Sequence, residues 1–204
     1  MRVLRCKMNK TNLYKNFEKN GGILRTYQLN ELGFYSRQIN KLLENGHITR
    51  VKRGVYELTD NIYPEEVTIA RLFPNAVIFL ESALMIYGYT DRIPLSWQIA
   101  VDRNSEKGQY KIDYPLIDVF YMEPKLLNVG VDINQIENVD VKIFNRDRTI
   151  CDVLRYKNKI EREVFSNAVQ RYVKDPKKNI ENLLEYSKKL NLKNKVQTYI
   201  GVWL

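Results

Sequence analysis

The stretch Ser36-Arg37-Gln38-Ile39-Asn40-Lys41-Leu42-Leu43-Glu44-Asn45-Gly46-His47-Ile48-Thr49-Arg50-Val51-Lys52-Arg53-Gly54-Val55-Tyr56-Glu57-Leu58 changes its period halfway along. Ile39, Leu42 and Leu43 fall at the three- and four-residue spacing of one buried helical stripe. Asn45-Gly46 stops that helix, and His47 reads as part of its C-terminal cap. From Ile48 onward the apolar residues alternate. Ile48–Lys52 and Val55–Leu58 are therefore expected strands, joined by a tight turn in which Gly54 supplies a positive φ.

Upstream, Thr26 is expected to cap a helix running to about Leu32, with Leu29 and Leu32 facing inward, and Gly33 ends it. An earlier helix over Asn9–Asn20 places Leu13, Phe17 and Tyr14 on one face and stops at Gly21-Gly22. Three helices followed by a two-stranded wing is the order of a winged helix-turn-helix. Asp60-Asn61 and Pro64 mark the expected boundary, dividing the chain into residues 1–61 and 62–204.

Beyond the boundary, helices are expected over Pro64–Phe73 and Glu81–Tyr87, with the apolar run Ala76–Leu80 between them. Strands follow at Trp97–Val101, Ile117–Tyr121 and Val139–Phe144. The last third reads as helical, over Arg148–Tyr156, Ile160–Val173, Asn179–Leu190 and Lys193–Trp203. The fold class is thus α+β, a winged helix-turn-helix followed by a mixed α/β domain with a helical C-terminal third.

Charge narrows the function. The 204 residues carry a net +9, and residues 1–60 alone hold 12 Lys and Arg against 5 Asp and Glu. Residues 62–204 are nearly balanced, 21 basic against 19 acidic. A compact basic unit points to a polyanionic partner. No stretch approaches the length of a membrane span, and Met1–Met8 lacks the apolar core of a secretory signal. Two cysteines, Cys6 and Cys151, make neither a disulfide framework nor a zinc site, which fits a reducing, cytoplasmic setting.

In a helix-turn-helix the second helix of the motif enters the major groove, and its first residues meet base edges. Those are Tyr35, Ser36, Arg37, Gln38, Asn40 and Lys41. Arg pairs with guanine, and Gln or Asn with adenine, so Arg37, Gln38 and Asn40 form the reading set, with Lys41 on a phosphate. A solvated helix face accounts for the same residues taken alone. The wing tips the balance, because Arg50, Lys52 and Arg53 crowd one hairpin where Gly54 lets the backbone approach DNA. Arg25, Tyr27 and Lys15 are further backbone-contact candidates. For catalysis the candidate carboxylates are Glu65-Glu66 and Asp147 with Asp152, but there is one histidine, no phosphate loop, no nucleophile elbow and no metal cluster. The expectation is a non-enzyme with no cofactor.

Three segments together resemble the AbiEi family of antitoxins: Gly46–Tyr56, Glu81–Thr90 (Glu-Ser-Ala-Leu-Met-Ile-Tyr-Gly-Tyr-Thr) and Arg148–Asp152 (Arg-Thr-Ile-Cys-Asp). The first is similar to the family's wing, the second to a helix opening its C-terminal domain, the third to the start of a late helix. After Asp175 the chain carries no recognisable motif of the family. The resemblance implies an autorepressor that binds inverted repeats in its own promoter. It also implies antitoxicity toward a co-encoded nucleotidyltransferase-like toxin, with or without a stable complex. A transcriptional regulator whose second domain senses a ligand or oligomerises is the alternative, and a nuclease guided by the winged helix is a third.

Overall fold

The computed structural model describes residues 12–60 and 63–203. The first helix, α1, spans residues 12–19 and buries Leu13 and Phe17 with Tyr14 packed beside them; residues 9–11 of the expected helix lie outside the described residues. Next come β1 (Ile23–Arg25), α2 (Thr26–Glu31), α3 (Ser36–Glu44), β2 (Ile48–Lys52) and β3 (Val55–Leu58). Helix α3 lies where its periodicity predicted. Its end is closed by two backbone bonds, Gly46 N–H to the Leu43 carbonyl at 3.0 Å and His47 N–H to the Leu42 carbonyl at 2.9 Å. That reciprocal pattern needs a left-handed residue, and Gly46 supplies it with φ +65°.

Two local expectations are corrected. Thr26 is not the cap of α2 but its first residue; Arg25 precedes it in extended backbone, and its N–H donates to the Gln28 side chain at 2.8 Å. Thr26 instead donates both its N–H (2.9 Å) and its hydroxyl (3.3 Å) to the Gly54 carbonyl, tying the start of α2 to the turn of the hairpin. The second correction is β1 itself, a strand of only three residues that makes the sheet three-stranded in the order β1-β3-β2. The alternation of β2 is also broken by a bulge between Arg50 and Lys52, so Thr49 and Arg50 are both exposed. Leu13, Phe17, Leu24, Leu29, Phe34, Ile39, Leu42, Ile48, Tyr56 and Leu58 close one hydrophobic cluster under these elements.

The remainder is a five-stranded mixed sheet, consistent with the α+β expectation. Its elements are α4 (Glu65–Leu72), β4 (Val77–Ile78), α5 (Leu80–Ile86), β5 (Trp97–Asp102), β6 (Ile117–Met122), α6 (Pro124–Leu127), β7 (Val131–Ile136) and β8 (Val139–Phe144). Helices α7 (Arg146–Arg155), α8 (Arg162–Lys174), α9 (Ile180–Lys189) and α10 (Lys193–Tyr199) follow. The strand order is β6-β5-β4-β8-β7. Pleating sends alternate residues to opposite faces: Val77, Ala100 and Phe144 join the helical C-terminal third in one cluster, while Ile78, Ile99, Val101, Val141 and Ile143 face the other way. Strand β7 was missed because Val-Asp-Ile-Asn-Gln-Ile is half polar, as suits a sheet edge with one solvated face.

The expected boundary at 61/62 falls on residues outside those described. Across it the packing is continuous, because Ile23, Val51 and Val55 share one buried cluster with Ile69, Leu72, Phe73, Ala76, Ile99 and Val101. One face of the hairpin sheet is therefore covered by α4 and β5.

Candidate nucleic-acid interface

Helix α3 separates its residues cleanly. Ile39 and Leu42 are buried, while Ser36, Arg37, Gln38, Asn40 and Lys41 are exposed. Tyr35, at the N-terminal boundary, is 60% exposed. No acidic residue occupies the first turn, so the positive end of the helix is left open to an anion. The stripe of Ile39 and Leu42 seats the helix beside Leu29 and Ile48 in the first cluster, which fixes the direction in which the polar face points. Every α3 residue singled out from the sequence is thus free to meet a ligand.

The β2–β3 hairpin is divided. Arg50 and Arg53 are exposed, Arg50 stacking its guanidinium 5.7 Å from the centre of the Tyr56 ring. Lys52, expected beside them on the DNA, turns the other way. Its ammonium sits 4.6 Å from the centre of the Phe73 ring and 3.4 Å from the Gln109 carbonyl, half-buried. Burial, and secondarily the charge of Arg25, hold its pKa below the usual lysine value. The bulge in β2 and the covering of one sheet face explain the difference, and neither is visible as periodicity. Arg25 and Tyr27 are exposed and are brought beside the Arg53-Gly54 turn by the Thr26 bonds. Lys15 is exposed on α1.

The other two sequence segments meet each other. Tyr87 donates to the Phe144 carbonyl at 3.0 Å, and Tyr89 donates to Asp175 at 2.6 Å. Arg146 reaches the same Asp175 oxygen at 3.0 Å while lying 4.5 Å from the Tyr87 ring centre. Burial opposes ionisation of Asp175, but the hydrogen bonds from Tyr89 and the Lys177 amide, with Arg146, outweigh it and hold the carboxyl below its usual pKa. Arg148 is wholly buried: it pairs with Asp152 at 2.8 Å and donates to the carbonyls of Leu126 (2.6 Å) and Val129 (2.8 Å). Thr149 donates to the Phe144 carbonyl at 3.0 Å, and Ser82 accepts the Gln98 N–H at 2.9 Å. These residues lock α5, β8, α7 and the α8–α9 turn together, so their first role is structural.

Of the carboxylates considered for acid–base chemistry, Glu65 and Asp147 are likewise engaged, as is Asp152 with Arg148. Glu65 accepts from Trp97 and Tyr114, and Asp147 accepts from the Tyr172 hydroxyl (2.9 Å) and the Asn179 N–H (2.8 Å). Burial pushes the Cys151 thiol up, away from reactivity. Among the described residues no group of three or more His, Cys, Asp and Glu is placed to hold a metal ion. No helix among them is long and apolar enough to cross a membrane.

A search of curated protein sequences gives no match. The crystal structure of the RV2827C protein from Mycobacterium tuberculosis superposes with a TM-score of 0.60, covering 89% of this chain and 71% of that one. At 12% identity the likeness speaks to the fold alone. Residues 13–59 match the family described as transcriptional regulator, AbiEi antitoxin. The match runs from the first buried leucine of α1 to the end of the hairpin, the same span that carries the exposed α3 face. The likeness to the AbiEi antitoxin family of transcriptional regulators is carried by this segment, less than half of the chain.

Proposed function

We propose that residues 1–61 form a winged helix-turn-helix that binds duplex DNA, with α3 in the major groove. In this reading Arg37, Gln38 and Asn40 read bases, Tyr35, Ser36 and Lys41 line the groove, and Arg50 and Arg53 hold the backbone. Arg25 and Tyr27 add backbone contacts from the start of α2. The observation that carries it is the exposed α3 face, free of acidic residues in its first turn, within the segment that matches a regulator family. The chain then acts as an autorepressor on inverted repeats of its own promoter.

If about five phosphates are neutralised, log K falls with log salt at a slope near −4 to −5. Fluorescence anisotropy of the full chain on duplex DNA across a salt series measures it. A salt-insensitive affinity, or no binding at low salt, overturns the proposal. The full chain is the right material, because isolating either part would expose Ile69, Leu72 and Phe73 or their partners Ile23, Val51 and Val55.

The same reading assigns antitoxicity to residues 62–204, against a co-encoded nucleotidyltransferase-like toxin in the cytoplasm. Its support is the family of the N-terminal segment and the near-neutral charge of the remainder, which makes that part a weak non-specific DNA binder. A full chain carrying Arg37→Ala and Arg53→Ala, expressed with the toxin from an unrelated promoter, separates the two activities. Growth rescue equal to that of the unmodified chain is expected. Loss of rescue by the folded variant would tie antitoxicity to DNA binding.

A further inference from the structure

A cleft of about 730 Å³ opens where the hairpin sheet meets the five-stranded sheet. That is within the size range of small-molecule sites, roughly 300–1,000 Å³. Its wall holds three cations, Arg25, Lys52 and Lys142, against a single carboxylate, Asp102. One Asp102 oxygen already accepts the N–H of Asn104 at 2.8 Å. None of the three cations forms an ion pair among the described residues.

The cations come from different elements and line one cleft. Arg25 and Lys52 flank Val55 in a single row across β1, β3 and β2, so their backbones lie about 10 Å apart. Lys142 projects from β8 with Val141 and Ile143 buried on either side, which leaves it on the opposite face of that strand. With three cations to one carboxylate, the wall carries a net positive charge that favours an anionic ligand. The rest of the wall supplies what an organic anion needs beside its charge. Asn104 and Asn128 offer hydrogen bonds, and Tyr110 offers an aromatic surface. Tyr110 is itself held against Phe73, ring centres 5.2 Å apart.

We propose that this cleft binds a small molecule bearing phosphate groups on a flat organic body, a nucleotide-like ligand. Its phosphates meet Arg25, Lys52 and Lys142, and its body lies on Tyr110. The partial desolvation of Lys52 agrees with such a site, because an anion would restore the lost stabilisation of its charge. The proposal goes beyond DNA recognition and does not depend on it: the ligand is measured without DNA present.

Isothermal titration of the full chain with ATP, with inorganic triphosphate and with adenosine tests it. ATP is expected to bind saturably, triphosphate more weakly, and adenosine not at all at the same concentrations. Lys142→Gln should weaken ATP at least about tenfold, the loss of one charge-assisted contact. Asn104→Asp, which adds a second carboxylate at an exposed loop position, should do the same, and an unchanged melting temperature shows that each variant folds. No saturable ATP binding by the unmodified chain overturns the site. So does ATP binding that survives both variants but is lost in Arg37→Ala, since that would place the nucleotide on the α3 face. Triphosphate binding as tightly as ATP would overturn the role given to Tyr110.

Discussion

Replacing Arg148 by Met is expected to cost about 3–5 kcal/mol of folding stability, the penalty for stripping one partner from a buried ion pair. For a chain of this size that is a fall in Tm of roughly 6–20 °C, read by calorimetry or circular dichroism. Asp152 is fully buried, and Arg148 is its ion-pair partner; its second oxygen has no hydrogen-bond partner among the described residues. The loss should also depend on pH. Burial already pushes the Asp152 carboxyl up to about 6, with Arg148 pulling the other way. A carboxyl whose folded pKa exceeds its unfolded one contributes stability that is fully present below the unfolded value and lost as pH rises through the folded value. Without Arg148 the folded pKa rises further. The variant should therefore lose less stability at pH 5 than at pH 8. Adding Asp152→Leu should recover much of the loss, because neither charge is then buried. A pH-independent loss of under 1 kcal/mol for Arg148→Met would show that the pair is not the node the geometry implies.

Arg37→Ala should weaken operator binding by about 1–3 kcal/mol, roughly 5- to 150-fold, and relax the preference at one base pair. Arg53→Ala should weaken operator and random DNA alike and reduce the salt slope by about 1. Lys52→Ala should leave that slope unchanged, because its ammonium is held against Phe73 and the Gln109 carbonyl rather than presented with Arg50 and Arg53. Competition with point-mutated operators separates these outcomes. Equal losses on operator and random duplex for Arg37→Ala would remove it from the reading set. A reduced slope for Lys52→Ala would mean that the wing releases it on binding DNA.

The placement of these residues shows which information is local. Helix α3 and the hairpin were legible because a single amphipathic stripe and a Gly turn need no partner to be recognised. Ile39 and Leu42 are buried as expected, and Arg53-Gly54 forms the turn with φ +77° at the glycine. The strands β5, β6 and β8 were legible for the same reason, as apolar runs of the right length. The helical last third followed from spacing too, with Asn145 and Asn179 found at its caps, each side chain accepting an N–H three residues on.

What the sequence determined by itself, then, is the order of the elements, the basic bias of the first 60 residues and the polar face of α3. Each depends on neighbours within a turn or two. Tertiary structure decided the rest. Strand β1 is three residues long and exists because β3 offers it a hydrogen-bonding edge. Lys52 was turned from the hairpin's outer face by a one-residue bulge and by the approach of Phe73, two effects that arise only when distant segments pack. Arg148, a surface-type residue by composition, became one of the most deeply buried side chains because Asp152, Leu126 and Val129 together satisfy its guanidinium. No periodicity records that convergence: Asp152 lies one turn along the same helix, but the Leu126 and Val129 carbonyls come from a distant segment and meet Arg148 only in the folded chain.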